Sequence, residues 1–336
     1  MRLPQFEHIK PLTVEEALTA LEEHGSDAVI FAGGTDLLVN MKYGITKPGQ
    51  VVSIGSIPEL CTISEDSEGN IRVGPCVTLS DLANNSLLSE KHPALKEAVA
   101  SVASKHIRNM ATLGGNICLG ARCWYYNQSK LWRDAREVCH RMGGSACHAI
   151  SGSKRCHAIN SSDTAPALMA LGAEVAVMKK GHKRLICACD FFANDGIRHT
   201  VLEPGEMVAE IVVPGGDANS HAVFIKVSSR KGIDFALGSI AALITADGNK
   251  LTSARIVIGS ITSVPLVLEK TADIILKSGL SAQSIEKAAE AARSELGTLT
   301  NLFTSAGYKR DLAQVLVRRA LAELQAKVKK KGEAKN

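Results

Sequence analysis

No run of the sequence approaches the roughly 18 consecutive apolar residues that a membrane-spanning helix needs. The opening Met1-Arg-Leu-Pro-Gln-Phe-Glu has no apolar core of a signal peptide, so the expectation is a cytoplasmic chain without membrane contact. Neither G-x-G-x-x-G nor C-x-x-C occurs. The first absence removes the dinucleotide fingerprint of the doubly wound fold, and the second removes the close cysteine pairs typical of zinc knuckles. No serine or cysteine nucleophile stands in a recognisable pattern with a base. Aromatic residues make up only 4% of the 336, with two Trp and four Tyr, so any place where they gather is informative. The net charge of +5 is mild and does not suit a nucleic-acid surface.

Cysteine is what the sequence does have. Nine of them in a chain without an export signal read as thiols or metal ligands rather than disulfides. Five fall between Cys118 and Cys156, and four of these, Cys123, Cys139, Cys147 and Cys156, are candidate metal ligands spaced singly along a polar stretch. Spacing alone leaves an iron–sulfur cluster, zinc and unpaired thiols all open. Cys118 reads as a packed thiol, and Cys61, Cys76, Cys187 and Cys189 as inert core thiols. Both Trp residues (Trp124, Trp132) and two of the four Tyr (Tyr125, Tyr126) lie in the same stretch. They would form a small core or keep water from a metal centre. His140, His148 and His157 each follow a candidate cysteine and read as solvated. Seven basic residues stand against two acids between Cys118 and Asn160, which accounts for the whole net charge. Such a patch suits an acidic partner or an anionic centre.

Two glycine pairs flank this picture. Phe31-Ala32-Gly33-Gly34-Thr35-Asp36 follows a short apolar strand and precedes a helix, an order that turns free N–H groups toward an anion. Asp36 is expected to cap that helix. Ala111-Thr112-Leu113-Gly114-Gly115-Asn116 repeats the theme just before the cysteines. Around them the fold reads as α+β: an α/β unit over 1–60, a second unit over 61–215 interrupted by an insertion at 118–160, and a C-terminal β-meander with helices over 221–330. Thr13 caps the first helix, and Pro93 to Arg108 reads as one continuous helix. Three C-terminal strands, three helices near 267–277, 281–295 and 309–328, and a frayed Lys327–Lys335 tail complete the expectation.

The two glycine loops, with Ile107-Arg108, Ser162-Asp163, Pro166 and Phe224-Ile-Lys226, resemble the paired FAD loops of the flavoprotein (medium) subunits of molybdenum hydroxylases. The resemblance covers nearly the full chain. It implies a two-part FAD-binding domain of the vanillyl-alcohol oxidase / CO dehydrogenase flavoprotein type and a C-terminal three-stranded antiparallel sheet with helices. Within it, Ala32, Gly33, Gly34, Thr35, Asp36, Ala111, Thr112, Gly114, Gly115 and Asn116 match loop positions. Asp163 and Lys226 match contacts to the ribityl or ring part of FAD, the lysine near the N1/C2 edge. The insertion, with Arg122-Cys123-Trp-Tyr-Tyr-Asn, looks like that of 4-hydroxybenzoyl-CoA reductase β subunits, where four such cysteines hold a [4Fe–4S] cluster. Aldehyde oxidoreductases of the same superfamily carry a similar cluster with different spacing. The implied complex is a dimer of heterotrimers with a molybdenum-cofactor large subunit and a [2Fe–2S] small subunit. Electrons would arrive from a ferredoxin or similar carrier and run toward molybdenum, or run outward to NAD or another acceptor.

Overall fold

The computed structural model of the chain describes residues 2–248, 250–297 and 304–333; the 298–303 part of the expected C-terminal unit lies outside the described residues. The first unit holds β1 (Glu7–Ile9), α1 (Val14–His24), β2 (Ala28–Phe31), α2 (Leu37–Lys42) and β3 (Gln50–Ser53). Its strands form a parallel sheet in the order β1-β3-β2. Parallel neighbours need a crossover, which α1 and α2 supply. Thr13 caps α1 by accepting the Glu16 N–H, as its sequence position suggests. Ala17, Leu18, Ala20 and Leu21 then face the sheet. A left-handed Gly25 (φ 52) ends the helix.

The second unit begins with β4 (Ile63–Glu65) and β5 (Ile71–Val73), then α3 (Leu79–Asn84), α4 (Ser86–Lys91), α5 (Pro93–Ala100), α6 (Lys105–Arg108) and α7 (Leu113–Ile117). The insertion contributes α8 (Lys130–Asp134), and the chain returns through α9 (Thr164–Leu171), β6 (Glu174–Lys179), β7 (His182–Cys187), α10 (Ala188–Phe191) and β8 (Met207–Val213). The five strands form one antiparallel sheet, β4-β5-β8-β6-β7. The single helix expected from Pro93 to Arg108 is broken after Ala100. Ser101 Oγ donates back to the Ala98 carbonyl, Ser104 Oγ caps α6, and between them Ala103 adopts φ 44. Serine side chains compete with the helix for backbone groups, and here they win.

The C-terminal unit has four strands, not three: β9 (Ser220–Val227), β10 (Gly238–Asp247), β11 (Lys250–Gly259) and β12 (Leu266–Val267), in the order β12-β11-β10-β9. The extra edge strand is two residues long, too short for any periodicity to register. Alternation decides what each face covers. Val223, Ile240, Ala242, Ile244, Ile256 and Ile258 face α11 (Glu269–Ser278), α12 (Ala282–Glu295) and α13 (Ala306–Glu333). Phe224, Ala241 and Val257 face the second unit's core, where α5 and α9 pack. Each fully buried aliphatic side chain of this kind contributes roughly 1.5–3 kcal/mol. The helix α13 buries Leu312, Leu316, Ala320 and Leu324 as its spacing predicts. It also continues through most of the expected frayed tail, because Lys327 Nζ reaches the Ala222 carbonyl at 2.9 Å and Lys331 the Ala218 carbonyl.

Candidate functional site

The two glycine loops meet. A Cβ on Gly33 would lie 1.8 Å from the Met110 carbonyl oxygen and 3.0 Å from the Ala111 Cα, so the first loop touches the backbone of the second. Gly114 is similarly closed in by Pro75, at 2.5 Å. Gly33 is needed first for this loop-to-loop approach and Gly114 for the approach to Pro75, roles that their anion-cradle reading did not anticipate. Around the contact opens a cleft of about 800 Å³, in the upper range of ligand pockets. Ala32, Gly33, Gly34, Thr35, Asp36, Ala111, Thr112, Gly114, Gly115, Asn116 and Asp163 all line it.

The loops differ in what they offer. Among the described residues, the N–H groups of Gly33, Gly34, Thr35 and Asp36 have no hydrogen-bond partner within the chain. In the second loop the Gly114, Gly115 and Asn116 N–H groups are spent on the Pro75 carbonyl, Thr112 Oγ1 and the Thr112 carbonyl. Anion-binding capacity therefore sits on the first loop. Asp36 does not cap α2: it accepts from Asn40 Nδ2 at 2.9 Å and from Arg122 of the insertion. Asn116 Oδ1 ties the second loop to Ser162 and Thr164, each hydroxyl at 2.7 Å.

Asp163 and Lys226 form a buried pair, Nζ to Oδ2 at 2.6 Å. Lys226 does not line the cleft. Its other bonds go to the Ser101 and Asp234 carbonyls at 2.9 and 3.1 Å, which uses all three N–H groups. Asp163 does line the cleft, and its Oδ1 is buried without a partner. Burial pushes the Asp163 carboxyl up to about 6 against the opposing pull of Lys226. A raised acid makes the folded state the tighter proton binder, so stability falls as pH rises from about 3.8 to about 6 and the cost persists above. The expected size is roughly 3 kcal/mol. Urea unfolding of flavin-free protein checks it: the wild-type stability relative to Asp163→Asn should drop across that window, and a constant difference would refute it.

The insertion is closed at its neck by Arg122 and Ile159, which exchange both backbone hydrogen bonds at 2.7 and 2.8 Å. Inside it, Cys123, Cys139, Cys147 and Cys156 line one small cavity with Tyr125 and Tyr126. Burial raises the Cys123 and Cys156 thiols, and each also feels the charge of other cysteines in the group. Among the described residues no three His, Cys, Asp or Glu converge tightly enough for a single metal ion. The four thiols line this cavity without converging on a single point. Cys118 is packed as expected, its thiol pushed by burial up to about 12. Cys61 departs from the core-thiol expectation by being exposed.

The three histidines are half-buried, and each also makes a hydrogen bond within the loop. His140 Nε2 donates to the Ser153 carbonyl, His148 Nε2 to the Glu137 carbonyl, and His157 Nε2 meets Ser153 Oγ, all within 2.8 Å. They brace the loop. Tyr125 and Trp132 make its small core, with the Arg136 guanidinium 4.2 Å from the Trp132 ring centre. Arg133 fixes the loop to the first unit through the Tyr43 and Gly44 carbonyls, each at 3.2 Å. Several cleft residues were expected elsewhere or not at all: Arg122, Tyr126 and Arg141 were read only as part of the insertion, and His199 and Ile233 to Phe235 gave no sequence signal. Gly196 also went unnoticed, though a Cβ there would lie 2.6 Å from Cys156 Sγ.

Residues 4–216 match the FAD binding domain in molybdopterin dehydrogenase, and residues 223–324 the CO dehydrogenase flavoprotein C-terminal domain. The chain is 32% identical to the aldehyde oxidoreductase FAD-binding subunit PaoB of Escherichia coli (strain K12), over 90% of this chain and 94% of that one. It is 27% identical to the alpha subunit of the 6-hydroxypseudooxynicotine dehydrogenase complex of Paenarthrobacter nicotinovorans, over 96% and 95%. The solved carbon monoxide dehydrogenase from Hydrogenophaga pseudoflava superposes with a TM-score of 0.80 at 26% identity, covering 96% of this chain and 98% of that one. Among the described residues no helix is long and apolar enough to cross a membrane. The chain belongs to the family of FAD-binding (medium) subunits of molybdenum hydroxylase-type oxidoreductases.

Proposed function

We propose that this subunit holds FAD in the glycine-walled cleft and a [4Fe–4S] cluster in the cysteine cavity, and carries electrons between an external carrier and its partner chains. The observation behind the cluster is that four thiols from separate points of the insertion line one cavity, against the flavin cleft. The residues fit both groups. Free N–H groups from Gly33 to Asp36 suit a diphosphate, Ala32 supports that loop, and the second loop from Ala111 to Asn116 forms the facing wall. Asp163, steadied by Lys226, offers its unpartnered Oδ1 to a ribityl hydroxyl or ring N–H. An all-thiolate donor set is soft and selects iron–sulfur over hard ions. When bound, these groups interconvert electron pairs with single electrons. The chain itself positions them and shuts out water with the Tyr125 and Tyr126 rings.

In the finer reading the complex is a 4-hydroxybenzoyl-CoA reductase: an acidic ferredoxin docks on the basic insertion, and a molybdenum large subunit and a [2Fe–2S] small subunit complete a dimer of heterotrimers. The 32% identity to the aldehyde oxidoreductase subunit favours a second reading, with electrons passing outward to NAD or another acceptor. Iron, acid-labile sulfide and a flavin spectrum test the cofactors; a colourless protein with zinc and no iron would refute them. Assays of the purified complex with aryl-CoA thioesters and reduced ferredoxin, against aldehydes and an oxidised acceptor, separate the two directions.

A further inference from the structure

The flavin cleft and the cysteine cavity share a wall, and two side chains make it: Tyr126 and Arg141 line both. We propose that Arg141, stacked on Tyr126, is the fixed charge that sets the reduction potential of the centre held by Cys123, Cys139, Cys147 and Cys156. The inference deepens the cluster reading above and rests on it.

Arg141 follows candidate ligand Cys139 by two residues, in a short 3-10 turn over His140–Met142. Its guanidinium carbon lies 4.4 Å from the Tyr126 ring centre, a cation–π contact. Its Nη1 donates to the Ala121 carbonyl, on the segment leading out of the flavin cleft. Gly120 makes room, since a Cβ there would come within 3.3 Å of Arg141 Nη2. Backbone and ring hold the group, but no acid neutralises it: among the described residues Arg141 has no carboxylate within ion-pair distance, unlike Arg122, which pairs with Asp36. Its charge reaches both sides. Arg141 lines the cysteine cavity on one side, and on the other it adds to the burial that depresses His199 in the cleft. A positive charge in a partly buried wall stabilises the more negative, reduced form of a neighbouring centre.

The test is a redox titration of purified holoprotein, followed by EPR, for wild type, Arg141→Met and Arg141→Lys. Iron and flavin contents are measured on the same samples. Arg141→Met should keep both cofactors while its reduction equilibrium constant falls about tenfold, a negative shift of about 59 mV for a one-electron couple. Arg141→Lys should stay near the wild-type potential. Equal potentials in all three proteins overturn the proposal, and so does loss of iron from both variants, which would make Arg141 a structural brace. Wild-type protein without iron would instead overturn the cluster assignment beneath it, before any variant is compared.

Discussion

Gly33→Ala should empty the flavin cleft while leaving the rest of the molecule folded. The added methyl would stand 1.8 Å from the Met110 carbonyl oxygen and 2.7 Å from its carbon. Both are main-chain atoms that cannot swing aside. Gly33 needs no left-handed conformation, so the effect is one of space alone. Relief requires the two loops to part, which moves the free N–H groups of residues 33–36 away from the facing wall. Overpacking of this kind costs on the order of 1–3 kcal/mol, so flavin affinity should weaken roughly ten- to a hundredfold. Gly55→Ala is the matched control, because its Cβ would meet only the Ala32 carbonyl oxygen, at 4.0 Å, and Gly55 does not line the cleft. Flavin-to-protein ratios and fluorescence titration read both variants. Stoichiometric, tight flavin in Gly33→Ala would mean that the loop contact is not what shapes the cleft.

Cys147→Ser should give the opposite phenotype, losing most of its iron and acid-labile sulfide with flavin at wild-type level. Serine keeps the size of the side chain but replaces the soft thiolate with an alcohol that stays protonated near neutral pH. The flavin should survive because both glycine loops lie outside the neck closed by Arg122 and Ile159. Full iron content in this variant would remove Cys147 from the ligand set. The pair of variants forms a crossed test, since each is expected to lose one group and keep the other.

Much of this organisation was legible in the residues. Glycine pairs after an apolar strand or before a cysteine run are local signals, and local signals survive folding. The amphipathic spacing of α13 and the cap at Thr13 were readable for the same reason. What escaped was set by tertiary partners. Asp36 looked like a helix cap until Arg122, 86 positions away, claimed it. Lys226 matched a flavin contact, yet its three N–H groups are taken by Asp163 and two carbonyls contributed from three parts of the chain. The hydrogen bonds of the histidines after the cysteines escaped because nothing in sequence marks the Ser153 and Glu137 carbonyls as acceptors. Gly196 and Phe235 enter their sites only through long-range packing, which no periodicity encodes.

The closed neck of the insertion also bears on how much its length matters to the scaffold. Because Arg122 and Ile159 bond to each other, the path from the second glycine loop to Asp163 runs almost as it would if the intervening residues were absent. A thiol-bearing loop tethered in this way can change in length without rebuilding the host sheet, to which it contributes no strand.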